Sequence, residues 1–182
     1  MKNVHIRRAT VTLAVTVLLV VAACSSDDAE NPTTTDAASP VVEVEAIDFA
    51  YVGLPAEVEA GTEFRLTNTS EIELHELVAI KLPGDETRSV AEIVQLPPEE
   101  VAAFFPGVTT VVIAPPGGDG LPVVGTGVLT EPGRYAIICA IPTGADPDEY
   151  MAAAAESDGP PEVDGGPPHF VHGMIGEVVV NG

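Results

Sequence analysis

The chain has 182 residues, 46% apolar but only 4% aromatic and without tryptophan, so it suits one domain built around an aliphatic core. Seven Lys and Arg stand against 28 Asp and Glu, a formal net charge of −21, which argues against nucleic acid as a partner and against adsorption to anionic lipid through a basic patch. Two cysteines are too few for a disulfide scaffold, and protein partners matched to so acidic a surface carry basic patches.

Residues 1–23 read as a signal peptide. Lys2, Arg7 and Arg8 form a positive start, and residues 11–23 are apolar apart from Thr12 and Thr16. That run is short for a bilayer span and fits the core of an export signal. Val21-Ala22-Ala23-Cys24 resembles the lipobox of bacterial lipoproteins, with Val where Leu is usual. The resemblance implies cleavage before Cys24, a diacylglycerol on its sulfur, and an extracytoplasmic protein anchored to the cell membrane, since two acyl chains hold stably. Cys139 would then be the one free thiol, and Arg65, Lys81, Arg88 and Arg134 the only basic side chains beyond the signal.

Residues 24–40, rich in Ser, Thr, Asp, Ala and Pro, form the expected lipidated flexible tether. The domain is expected over residues 41–182. Alternation predicts strands from Val41, over residues 62–69 after Gly61, and over residues 73–82, which end at Pro83-Gly84-Asp85. Ser89 followed three residues later by Glu92 is a capping-box signature for a short helix over residues 89–95. Pro98-Glu99-Glu100 opens a second helical stretch towards Phe105. A strand follows over residues 108–114 and a loop over 115–120. Residues 127–130 and 134–141, with a turn at Glu131-Pro132-Gly133, read as a hairpin leading into a buried strand. Residues 174–181 are the last strand. About seven short strands with frequent turn signals predict an all-β sandwich. Residues 142–168 break the pattern as a long insert, within which Asp146-Pro147-Asp148-Glu149 starts a short helix with Asp as cap and Pro at its first position.

The side chains able to do chemistry are His75, Cys139, His169, His172, Met151 and Met174. Imidazole, thiolate and thioether together suit a soft or borderline metal, copper above all, and two His with one Cys and a distant axial Met is the electron-transfer copper set. No Ser has a His and acid placed to make a nucleophilic triad.

The order of these residues resembles the cupredoxins, the superfamily of plastocyanin and azurin. The resemblance lies in an early His75, then Gly133-Arg134-Tyr135-Ala136-Ile137-Ile138-Cys139, then His169 and Gly173-Met174 leading into Ile175-Gly176-Glu177-Val178-Val179-Val180. It covers residues 41–182 and implies a Greek-key β-sandwich, one Cu(I)/Cu(II) ion, and His75, Cys139, His169 and Met174 as its ligands. His172 is the alternative second histidine; His169 is preferred because its spacing to Met174 equals that of plastocyanin. The implied role is carriage of single electrons between redox partners at the membrane, not an enzymatic one, because four protein ligands leave no position for substrate. A copper-delivery lipoprotein with a softer site of Met151, His172, Met174 and Cys139, or a metal-free binding module, are the alternatives. Two features depart from the family. Twenty-nine residues separate Cys139 from His169 where small cupredoxins have a few, and Glu76 follows His75 where Asn is common.

Overall fold

The computed structural model describes residues 39–157 and 159–182. The expected signal peptide, the Cys24 lipidation site and the tether up to residue 38 lie outside the described residues. Among the described residues, ten strands form two sheets: β1 (Val41–Ile47), β2 (Ala50–Val52), β3 (Glu57–Glu59), β4 (Thr62–Asn68), β5 (His75–Lys81), β6 (Val108–Ala114), β7 (Leu121–Val124), β8 (Val128–Leu129), β9 (Gly133–Ile138) and β10 (Ile175–Asn181). The first sheet runs β2-β1-β4-β8, and the second runs β3-β10-β9-β5-β6-β7. The parallel pair β1 and β4 sets Val42 beside Phe64 and Val44 beside Leu66. Period-two alternation therefore turns one apolar row inward. That row meets Leu77, Ala79, Val112, Tyr135, Ile137, Val178 and Val180 of the second sheet in one aliphatic core.

The second sheet is covered on its other face too. Val78, Ile80, Ala136 and Ile138 pack against Val90, Ile93 and Val94 of helix α1 (Val90–Ile93) and its exit. This explains why β5 is apolar on both faces rather than alternating. The predicted capping box of α1 forms: the Glu92 N–H donates to Ser89 Oγ, and the Glu92 carboxylate accepts from the Ser89 N–H. Helix α2 (Pro98–Ala102) and a 3-10 turn (Phe105–Gly107) complete this cover. Helix α3 (Pro147–Glu156) occupies the insert, with Asp146 capping the Asp148 and Glu149 N–H groups as its sequence foretells.

The sandwich and its helix-bearing insert match the expected fold class. The hairpin expected over residues 127–141 does not form. β8 pairs with β4 in the first sheet, whereas β9 lies in the second between β5 and β10. A strand whose last four residues are all buried needs partners on both edges, which leaves no edge for β8. The 130–132 link instead carries the chain across the sandwich, pinned where the Tyr135 hydroxyl donates to the Glu131 carbonyl. The strands β2, β3 and β7 were not foreseen, being three or four residues long.

Candidate metal centre

Three strands of the second sheet meet at one edge of the sandwich. β9 pairs with both neighbours at Ile138, opposite Val78 of β5 and Ile175 of β10. Extending those registers by one residue brings Cys139 between the start of β5 and Met174, and the Cys139 N–H donates to the Met174 carbonyl at 3.2 Å. His75 opens β5, delivered by a loop that Asn68 holds in place. The Asn68 amide donates to the Glu73 and Ala114 carbonyls at 2.8 and 3.0 Å and accepts from the Ser70 N–H at 2.9 Å.

His169 comes from the far end of the insert, which is closed at its neck. The Thr143 N–H and hydroxyl both donate to the Pro167 carbonyl, at 3.1 and 2.7 Å, and the Gly166 N–H donates to the Thr143 carbonyl at 2.8 Å. Beyond the neck, the His169 N–H donates to the Ile141 carbonyl (3.0 Å) and the Phe170 N–H to the Cys139 carbonyl (2.9 Å). The long excursion thus returns His169 to the side of Cys139. A 3-10 turn (His169–His172) follows and reverses at Gly173, whose φ of +103° is left-handed and suits glycine. The Met174 N–H then donates back to the His169 carbonyl at 3.2 Å.

The donor atoms converge. His75 Nδ1 lies 3.1 Å from His169 Nδ1, and His169 Nδ1 lies 3.3 Å from Cys139 Sγ. The three donors all lie within 4.8 Å of one another, and their residues, like Met174, are fully buried. Donors bound to one first-row metal, at about 2.0–2.1 Å for nitrogen and about 2.3 Å for sulfur, stand roughly 3–4 Å apart. The set therefore fits a single ion. His75 Nε2 is buried without a hydrogen bond, a desolvation cost that the fold leaves uncompensated, whereas His169 Nε2, also without one, has the Glu73 carboxylate 3.4 Å away.

Burial pushes the His75 imidazole down to about 4, with the neighbouring His169 adding to the effect. His169 is pushed down by burial, against the pull of Glu73, whose carboxylate lies 3.4 Å from its Nε2. Burial also pushes the Cys139 thiol up, and Glu76 reinforces it. At neutral pH the metal-free site therefore holds neutral imidazoles, one Nδ1 donating to the other across 3.1 Å, and a protonated thiol. A cation that binds there must displace the thiol proton.

Glu76, the residue after His75 in β5, is buried behind the site. Its N–H donates to Cys139 Sγ at 3.4 Å, and its carboxylate accepts from the Ala140 N–H at 3.0 Å. The side chain thus joins the strand of His75 to the residue after Cys139. The other carboxylate oxygen accepts from the Tyr150 hydroxyl of α3 at 3.3 Å, and the Tyr51 hydroxyl donates to the Glu76 carbonyl. The insert helix accordingly braces the back of the site. A cavity of about 430 Å³, lined mainly by apolar groups such as Val78, Val111, Ile113 and Ala154, lies beside Glu76 and Tyr150.

Of the residues singled out from the sequence, His75, Cys139 and His169 come together, and Met174 joins them through its backbone bonds to Cys139 and His169. His172 stands outside the cluster, exposed, with its ring against Phe49. Met151 packs half-buried against the core. Glu73, Phe49 and Tyr150 escaped the sequence reading. Only Glu73 left a signal, an acid two residues before a histidine.

No protein-family model matches the chain, and no curated protein matches it. Among solved structures it is similar to dithionite-reduced auracyanin from the photosynthetic bacterium Roseiflexus castenholzii, with TM-score 0.43 and 22% identity over 79% of this chain and 98% of that one. It is similar to auracyanin B, with TM-score 0.41 and 19% identity over 79% and 89%. It is also similar to auracyanin A of the green thermophilic photosynthetic bacterium Chloroflexus aurantiacus, described as a "blue" copper protein, with TM-score 0.41 and 17% identity over 78% and 98%.

Proposed function

We propose that this protein is a cupredoxin-type electron carrier whose single copper ion is held by His75 Nδ1, Cys139 Sγ and His169 Nδ1, with Met174 as the weak fourth ligand. The observation that carries this reading is the convergence of two imidazole nitrogens and one thiol sulfur, all buried, at one edge of a rigid sheet. Two His and one Cys with a distant Met is the donor chemistry of electron-transfer copper. When bound, copper supplies a one-electron couple. The chain's own groups do the rest. Burial excludes water, the Glu76 N–H faces the sulfur, and three paired strands with the closed neck of the insert fix the donors in place. Burial favours the neutral form of both imidazoles, the form that ligates.

Copper delivery fits less well. Handing an ion to a partner requires ligands that a partner can reach, and Cys139 and Met174 are both fully buried. We place the protein on the outer side of the cell membrane, anchored through a lipid on Cys24, with redox proteins bearing basic patches as its partners.

Titration of the metal-free protein with Cu(II) tests the reading. The expected result is an intense thiolate-to-copper visible band with narrow hyperfine splitting, absent in Cys139→Ala, His75→Ala and His169→Ala and retained in His172→Ala. A colourless protein overturns it. Labelling of the expressed chain with radioactive palmitate, lost in Cys24→Ala, tests the anchor.

A further inference from the structure

Glu73 stands where three parts of the site meet. It lies two residues before His75, in the loop that delivers that donor. Its backbone is pinned on both sides: the N–H donates to Ser70 Oγ at 3.1 Å, and the carbonyl accepts from the Asn68 amide at 2.8 Å. Its side chain is only 13% exposed. Carboxylate Oε2 accepts from the Gly144 N–H at 3.1 Å, and the same oxygen faces His169 Nε2 at 3.4 Å. Gly144 lies just inside the first side of the insert's neck, and His169 just beyond the second. One oxygen from the loop of His75 therefore touches both feet of the insert.

This contact bears on where the His169 ring keeps its proton. The ring is fully buried, with the Phe49 ring edge-on against it, centroids 5.0 Å apart and planes at 77°. An ionised carboxylate only accepts, so it favours N–H at the ring nitrogen that faces it. Oε2 already serves as an acceptor for the Gly144 N–H. On the inner side of the ring, Nδ1 lies 3.3 Å from the Cys139 thiol and 3.1 Å from His75 Nδ1. A neutral imidazole carries a single ring proton. With that proton on Nε2, His169 Nδ1 is an acceptor, and the group that donates to it across 3.1 Å is the His75 Nδ1–H. His75 Nε2, buried and without a partner, is then the bare nitrogen.

We infer that Glu73 is a positioning residue that fixes His169 as its Nε2–H tautomer, with the Nδ1 lone pair ready for a metal, and leaves His75 as the ring that must change. As far as the metal is concerned, the inference rests on the electron-carrier reading. Ligation needs the Nδ1 lone pair of both rings. His169 presents its own already. His75 gives up the proton on Nδ1 and takes one at Nε2, so both rings stay neutral, while the Cys139 proton passes to solvent. The Glu73 charge has a second consequence. It faces one more positive charge in the oxidised site than in the reduced one, and so favours Cu(II) over Cu(I).

The test begins with isotope-labelled, metal-free protein. Long-range NMR correlations within each imidazole distinguish the two neutral tautomers by the shifts of the ring nitrogens. The expected result is protonation of His169 at Nε2 and of His75 at Nδ1. A His169 ring protonated at Nδ1 overturns the inference. Glu73→Gln then keeps the size of the side chain and an oxygen for the Gly144 N–H but removes the charge. Its His169 tautomer is expected to be mixed or reversed. Its Cu(II) affinity is expected to fall by roughly 10- to 100-fold, as when the group behind a ligating histidine is lost. Cu(I) affinity falls less, so the potential rises, by about 59 mV for each tenfold difference between the two. A variant that is less stable yet keeps the wild-type tautomers and potential also overturns the inference, since Glu73 then only ties the insert. If wild type gives no copper–thiolate band, the electron-carrier reading has failed, and the tautomers of wild type and Glu73→Gln still decide whether Glu73 orients His169.

Discussion

Replacing Glu76 by Gln tests the electrostatics of the site without touching a donor atom. Burial drives this carboxyl from its ordinary 4.5 up to about 7, although the Ala140 N–H and the Tyr150 hydroxyl pull it down. Between those two values the folded chain binds more protons than the unfolded one, so stability falls as pH rises. At about 1.4 kcal/mol per pH unit the contribution is about 3 kcal/mol, fully present below pH 4.5 and lost above pH 7. His75 works in the opposite sense. Its folded value of about 4 lies below the ordinary 6.5, so its contribution is lost as pH falls through that window. His169 shifts in the same direction as His75. In metal-free wild type the two effects oppose each other; in Glu76→Gln only the histidines remain, and acidification destabilises more steeply. Urea unfolding, followed by far-UV circular dichroism because the chain has no Trp, is measured at pH 4.5, 5.5, 6.5 and 7.5. The stability of wild type relative to Glu76→Gln is expected to fall by about 3 kcal/mol from the lowest pH to the highest. A difference that stays constant refutes the argument that this carboxyl is buried and protonated at low pH.

Three further substitutions probe the scaffold, each read by urea unfolding of the metal-free protein. Tyr150→Phe removes the hydroxyl that meets the Glu76 carboxylate at 3.3 Å and is expected to cost about 1 kcal/mol. Leu77→Ala empties a fully buried position between the sheets and is expected to cost about 2–5 kcal/mol. Ser89→Ala breaks the capping box of α1 and is expected to cost about 1 kcal/mol, with unchanged copper binding because α1 lies on the face of the second sheet away from the core.

The parts of the molecule that were legible in the sequence are those with local causes. Alternation marked β1 and β4, the Ser89–Glu92 pair marked α1, and Asp146-Pro147 marked the start of α3, because each follows from the chemistry of a few adjacent residues. The ordering of His75, Cys139 and His169 pointed to a shared site because such donors have few other reasons to occur in that order. What escaped depends on partners distant in the chain. β7 is exposed along its whole length and carries no burial pattern to read. The crossing of β8 and β9 between sheets is decided by which edges are free, and the local turn signal at residues 131–133 does not encode that. Phe49 sits 120 residues before His169, in a turn whose residue types would suggest no site at all.

The insert is the clearest case of a sequence feature whose structural meaning is not its length. Lengthening a ligand loop from a few residues to 29 raises the closure entropy by about 2 kcal/mol, since each doubling adds about 0.6. Burial of Tyr150, at about 1.5–3 kcal/mol for a large side chain, offsets that cost. The geometry at the donors does not register the length, because the neck at Thr143, Gly166 and Pro167 closes the excursion before the chain reaches His169. From the side of Cys139, the loop behaves as a short one. The excursion is nonetheless tied to the site, since Tyr150 meets the carboxylate that also holds the Ala140 N–H, one residue from Cys139. An insert closed at its neck and fastened at its middle can change what the surroundings of the thiol are made of while leaving the positions of the donors unchanged.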